Sequence, residues 1–207
     1  MEKQLHVTCA FNEKFGCDLY GFMNEDGKMV IPPKYWCAHE FSEGLAAVGF
    51  VDDDGEAIDR LGFIDMNGNW VIAPRFSGVI SCGFTEGLCA VIMDDEYDKS
   101  DDGRVVDLKA KKDGWGYIDK SGEFVIAPKY FDAGPFFNGV APVSIEKEGM
   151  REHCGWGFID KNGHEIVPLE YDMPSDKPYH TAHGLLHLER NGEDFSFDLT
   201  GRQIWPK

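Results

Sequence analysis

Acidic side chains dominate the stretches of this chain that could do chemistry. Asp52, Asp53, Asp54 and Glu56 form one run, and Asp94, Asp95, Glu96 and Asp98, followed by Asp101 and Asp102, form another. Carboxylates this dense can chelate a hard cation or face a basic surface. Asp98-Lys99-Ser100-Asp101-Asp102-Gly103 opens like an EF-hand loop, with oxygen donors at its first, third and fifth positions and glycine at its sixth. The twelfth position is Lys109, where that loop needs a bidentate glutamate, and no helical periodicity flanks it. Both runs therefore read as solvated loops whose functional alternative is to engage a basic protein. His183, His187 and Glu189 would share one face of a strand, near His180. Zinc ligands must converge from more than one element, so these read as polar strand positions. There is no G-x-S-x-G elbow, P-loop or G-x-G-x-x-G. Of the thiols, Cys82 and Cys89 stand out, but Cys89 takes the place of an alanine of FSEGLAAV in the second copy, FTEGLCAV, which marks it as a core position. No metal, cofactor or catalytic residue is expected.

The elements that carry these residues recur. GWGYIDKSGEFVIAPKY begins at Gly114, and GWGFIDKNGHEIVPLEY begins at Gly155. Weaker copies are YGFMNEDGKMVIPPKY from Tyr20 and LGFIDMNGNWVIAPRF from Leu61, with a partial fifth, FSFDLTGRQIW, from Phe195. A second signature follows each full copy: FSEGLAAV, FTEGLCAV, FNGVAPV and the degraded HGLLHL. Fixed register over several copies is the mark of a repeat protein.

These residues resemble the WG-repeat family, named for the Trp-Gly pair that Trp115-Gly116 and Trp156-Gly157 match and that Tyr20-Gly21 and Leu61-Gly62 depart from. The resemblance implies non-catalytic modules, found mostly in bacteria. It divides the chain into a capping strand (1–19), repeat one with an acidic insert (20–60), repeat two with a long acidic insert (61–114), repeat three (115–154), repeat four (155–190) and a partial fifth repeat or cap (191–207).

Turn chemistry accounts for the recurring aspartates. Asp65, Asp119 and Asp160 open D-x-x-G turns in which the carboxylate accepts a backbone N–H, and Gly68, Gly122 and Gly163 supply the residue at positive φ. The β-prone runs on either side make hairpins, and the proline after the second run ends that strand or marks a sheet edge. A short G-L-A-A-V strand completes a three-stranded antiparallel meander too small to be stable alone. The fold expected is all-β, with such meanders stacked as an open twisted solenoid; a small propeller is the alternative. Trp115 and Trp156 are expected to fill the junctions between units.

A formal charge of −17 disfavours nucleic acid and anionic membrane surfaces. It keeps a chain soluble, and it suits a basic partner. No apolar leader or membrane-spanning run is present, which points to a cytoplasmic protein whose six cysteines are reduced and mostly buried. The function expected is a non-catalytic scaffold that binds a protein, in its sharpest form an immunity- or antitoxin-type inhibitor of a basic toxin. A carbohydrate or small-ligand module stacking on Trp36, Trp70 and Tyr97 is the alternative. Oligomeric state is open.

Overall fold

The structure, a computed structural model, describes residues 4–51, 57–93, 114–146, 154–173 and 184–206. Its regular elements among these are all strands, and every pairing is antiparallel. The first sheet runs β1 (Leu5–Asn12), β2 (Cys17–Asn24), β3 (Met29–Ala38), β4 (Ala46–Val51), β5 (Ala57–Ile64) and β6 (Trp70–Phe76). The second joins β7 (Gly78–Val79), β8 (Cys89–Met93), β9 (Gly114–Ile118) and β10 (Phe124–Tyr130). The third joins β11 (Asp132–Ala133), β12 (Val140–Glu146), β13 (Cys154–Asp160) and β14 (Glu165–Tyr171). The last holds β15 (Leu185–Arg190), β16 (Glu193–Asp198) and β17 (Gln203–Trp205). Among the described residues none of the sheets closes into a barrel.

Sequence repeat and hydrogen-bonded sheet are out of phase. The G-L-A-A-V strand of one repeat pairs with the leading strand of the next: β4 with β5, β8 with β9, β12 with β13, β15 with β16. Each repeat thus contributes to two sheets. β1, which precedes the first repeat, pairs with β2 in the place such a strand would occupy.

The first sheet is bent into two layers. β3 pairs with β2 as far as Tyr35, then with β4 through Cys37 and Ala38. Among the described residues five layers result, with four apolar cores between them. The first core joins Leu5, Phe22, Ile31 and Tyr35 to Ala46, Val48 and Ile64. The second joins Ala47, Phe63, Ile72 and Phe76 to Phe84, Cys89, Val91 and Ile118. A third holds Leu88, Ala90, Tyr117, Ile126 and Tyr130 with Ala141, Val143, Ile159 and Leu169, and a fourth holds Val140, Phe158, Val167 and Tyr171 with Leu186, Leu188 and Phe197. Consecutive residues of one strand enter different cores. Leu88 and Ala90 point one way while Cys89 and Val91 point the other, because successive side chains leave a strand on opposite faces. That is why these strands read as unbroken apolar runs: both of their faces are covered. Truncating a fully buried ring such as Phe63 or Phe158 would cost about 3–5 kcal/mol.

The Trp residues of the WG pair do not fill the junctions. Trp115 and Trp156 are half-buried at the margins of their cores, and the leading strands enclose instead the rings of Phe63, Tyr117 and Phe158, each two residues on from the Leu or Trp position. The proline lies inside its strand, at a bulge. Between the pairs Tyr117↔Ile126 and Trp115↔Tyr130 the leading strand advances two residues and its partner four. The same step occurs in the other three full repeats. The bulged backbone folds down over the glycine of the pair: a Cβ on Gly116 would lie 2.8 Å from the Ile126 carbonyl oxygen and 2.8 Å from the Pro128 nitrogen. Glycine is required there by close approach of backbone, not by its own conformation.

The contrast with Gly139 is measurable. Gly139 has φ +82° and open space around its Cβ position. Gly116→Ala should lower stability by about 2–3 kcal/mol, since neither backbone atom can yield. Gly139→Ala should cost only about 1–2 kcal/mol, the ordinary penalty for left-handed backbone. Urea midpoints of the two variants, compared with the parent chain, test this ordering.

Candidate functional site

The D-x-x-G turns engage their aspartates locally. Asp65 Oδ1 accepts the N–H groups of Asn67 at 2.8 Å and Asn69 at 2.9 Å. Asp119 Oδ1 takes Ser121 N–H at 2.8 Å, the Ser121 hydroxyl at 2.6 Å and Glu123 N–H at 3.2 Å. Asp160 Oδ1 takes Asn162 and His164 N–H, both at 2.8 Å, and its Oδ2 meets His164 Nδ1 at 3.1 Å. The carboxyl of Asp65 is held below the ordinary range first by the Asn69 N–H. At Asp160 burial pushes the carboxyl up, but the hydrogen bonds of His164 and Asn162 together outweigh it and bring it to about 2. Gly68, Gly122 and Gly163 take φ of +81°, +91° and +81° in the same turns. These carboxylates point into their own loops, one per turn, and do not meet one another. Among the described residues, no group of three His, Cys, Asp or Glu side chains is arranged to hold a metal ion.

A second set of turns builds something larger. Ser42 and Leu45 exchange backbone hydrogen bonds around Glu43-Gly44, and Thr85 and Leu88 do the same around Glu86-Gly87. Both residues of each tip have positive φ: Glu43 +50° and Gly44 +86°, Glu86 +52° and Gly87 +86°. That is the geometry of a tight I′ hairpin, in which asparagine or glycine is the ordinary choice for the first position. Glutamate there carries strain, and each one is fastened to the layer ahead. Glu43 Oε2 accepts Gly87 N–H at 3.1 Å and lies 3.1 Å from Lys120 Nζ, which also donates to the Glu43 carbonyl at 2.9 Å. Glu86 repeats this: its Oε2 accepts Gly139 N–H at 3.0 Å and lies 3.1 Å from Lys161 Nζ, which also donates to the Glu86 carbonyl at 2.9 Å. Ser42 Oγ donates to the Phe84 carbonyl at 2.6 Å, and Thr85 Oγ accepts Phe136 N–H at 3.1 Å. One rim of the stack is therefore laced by a Glu–Gly–Lys ladder that sequence reasoning missed. The available signal was the pairing of F-x-E-G in repeats one and two with D-K-x-G two repeats later.

The opposite rim carries the connections into each leading strand. The residues that flank the acidic runs are described there: Val51 and Ala57 end β4 and begin β5, and Met93 and Gly114 do so for β8 and β9. Asp52, Asp53, Asp54, Glu56, Asp94, Asp95, Glu96, Asp98, Asp101 and Asp102 themselves lie outside the described residues, as do Tyr97, His180 and His183. His187 is half-buried, with Nδ1 2.9 Å from Ser196 Oγ across the strand pair. Trp36 is half-buried and donates its indole N–H to the Ile58 carbonyl at 3.0 Å, while Trp70 is 44% exposed and packs edge-on to Tyr35 and Phe50. The thiols are less buried than composition suggests: Cys9, Cys17 and Cys82 are exposed, and Cys89 and Cys154 are buried. Cys89 sits in the second core, where burial raises its thiol far out of the reactive range.

The family model of the WG containing repeat matches residues 20–48, 62–97, 115–148 and 156–173, together more than half of the chain. The chain belongs to the WG-repeat family. The bulge over Gly116 and its counterparts gives the Gly of that signature a physical reason. No curated protein matches the sequence. A solved crystal structure, that of the eukaryotic initiation factor, aligns with TM-score 0.49 and 12% identity over 98% of this WG-repeat chain; this chain spans 55% of the length of that one. The assignment is consistent with a non-catalytic repeat protein.

The ladder predicts an acid-sensitive contribution to stability. At Glu86, burial raises the carboxyl, but the Lys161 and Gly139 contacts together bring it below the ordinary range. A depressed carboxylate stabilises the fold above its unfolded value, about 4.3, and that contribution is lost as pH falls through the lowered folded value. Glu86→Gln should cost about 1 kcal/mol at neutral pH, the scale of one surface cap and one exposed ion pair. Urea titrations should show the gap to the parent chain narrowing as pH drops below about 4. A gap that stays constant with pH would mean the carboxylate's charge plays no part.

Proposed function

We propose that this WG-repeat chain is a non-catalytic cytoplasmic scaffold that binds a basic protein through the acidic segments 52–56 and 94–102. The observation that carries this reading is the placement of negative charge. The net charge is −17, and the two densest acidic runs both fall in connections between a G-L-A-A-V strand and the next leading strand. Those connections start from equivalent ends of successive layers, opposite the rim laced by the Glu–Gly–Lys ladder. A rigid stack that projects acidic connections from one side offers a field that steers a basic partner and fixes its register. Loops on a rigid scaffold are where binding residues ordinarily reside. In its sharper form the partner is a basic toxin, such as a nuclease, held inactive by this protein.

The test is affinity capture from native cells with two versions of the protein, the parent and one with Asp52, Asp53, Asp54, Asp94 and Asp95 changed to Asn. The parent should retain a basic protein at physiological salt and release it at high salt. The neutralised version should associate about tenfold more slowly or not at all. Recovery of no salt-sensitive partner, or equal recovery by both versions, would sink the proposal.

A further inference from the structure

Each full repeat places its post-turn strand along the margin of a layer: the first half of β3, before its pairing with β4, and then β6, β10 and β14. One face of that strand enters a core, through Ile31 and Tyr35, Ile72 and Phe76, or Ile126 and Tyr130. The intervening residues leave on the other face and are exposed: Val30, Pro32 and Lys34; Val71, Ala73 and Arg75; Val125, Ala127 and Lys129. The three valines are 44%, 45% and 46% exposed. Lys34 Nζ lies 5.2 Å from the Tyr35 ring centre, Arg75 Cζ 5.1 Å from Phe76 and Lys129 Nζ 5.0 Å from Tyr130. In the fourth repeat Glu170 holds the basic position, yet Arg190 restores a cation there, 3.0 Å from Glu170 and 5.9 Å from the Tyr171 ring. A cation thus stands beside the same buried aromatic in four successive repeats of a chain with 37 acidic and 20 basic residues.

Lysine and proline on an edge strand discourage sheets from pairing edge to edge, which explains part of the pattern. It leaves unexplained three valines kept half open in register. It also leaves Lys34 and Lys129, which pair with no carboxylate among the described residues. A valine left open in three successive repeats, beside a recurring cation that in Lys34 and Lys129 has no carboxylate among the described residues, marks a surface for a ligand with the converse pattern.

We propose that these margins form a docking surface for an acidic peptide segment of a partner protein, laid across the layers with an apolar side chain against each valine and a carboxylate against each cation. Bulges and prolines interrupt the ladder donors of these strands, so the segment crosses them and does not add a strand. Layers spaced about 10 Å apart match an extended chain at about every third residue.

A fluorescein-labelled peptide repeating Leu-Glu-Ser tests this by anisotropy at physiological salt. The full chain should bind it saturably, and should not bind repeats of Leu-Lys-Ser or Ser-Glu-Ser comparably. Lys34→Gln/Lys129→Gln and Val71→Ser/Val125→Ser should each weaken binding about tenfold or more, with circular dichroism confirming the fold. If the valine variant unfolds, the lysine variant alone decides. Absence of saturable binding, equal binding of the control peptides, or binding unchanged in the lysine variant would overturn the proposal. Changing Asp52, Asp53 and Asp54 to Asn should leave this binding intact, which separates it from the acidic surface proposed above.

Discussion

A strand that is apolar on both faces cannot end a structure; it must be covered twice. That constraint organises this protein. β4, β8, β9, β12 and β13 send neighbouring side chains into different cores, so each layer is held from both sides. A single repeat has no enclosed core of its own. It lends strands to two layers, and its apolar surface is satisfied only by the repeats before and after it. Ahead of the first repeat, β1 pairs with β2 in the position that the G-L-A-A-V strand takes ahead of each later repeat.

Apolar packing alone permits layers to slide, because burial is non-directional. Directional contacts set the register. On one rim, glutamates in left-handed backbone reach the next layer's hairpin N–H and lysine. Arg75 adds another tie by donating to the Gly122 carbonyl. Each of these links is modest at a solvated surface, about 1 kcal/mol or less. Their effect is to select one alignment among many of similar burial. The strained glutamates persist because asparagine or glycine at the same tip would form the hairpin but not the link; Asn138 does this in repeat three, at φ +51°, where the next layer offers Leu199 in place of lysine.

The stack also segregates charge. Its ladder rim pairs carboxylates with lysines, and its margins hold cations beside aromatic rings. Net charge describes none of these separately. A chain of strongly acidic composition can present a locally basic surface when a repeat places one lysine or arginine at the same register position in each layer.

What the sequence determined by itself was whatever closes within a few residues. Asp65 caps Asn67 and Asn69, and Asp160 caps Asn162 and His164, so the hairpins, their turn glycines and the all-β class were legible from spacing. Membership of the WG-repeat family was legible for the same reason. What only the tertiary structure decided lies between segments far apart in the chain. Glu43 meets Lys120 across 77 residues and Glu86 meets Lys161 across 75. The phase between repeat and sheet, the half-burial of Trp115 and Trp156, and the backbone that presses on Gly116 depend likewise on which strand lies alongside. A local pattern specifies how a strand bends and where it turns. It contains no information on which distant surface covers each face, because that is settled by the joint packing of all the layers.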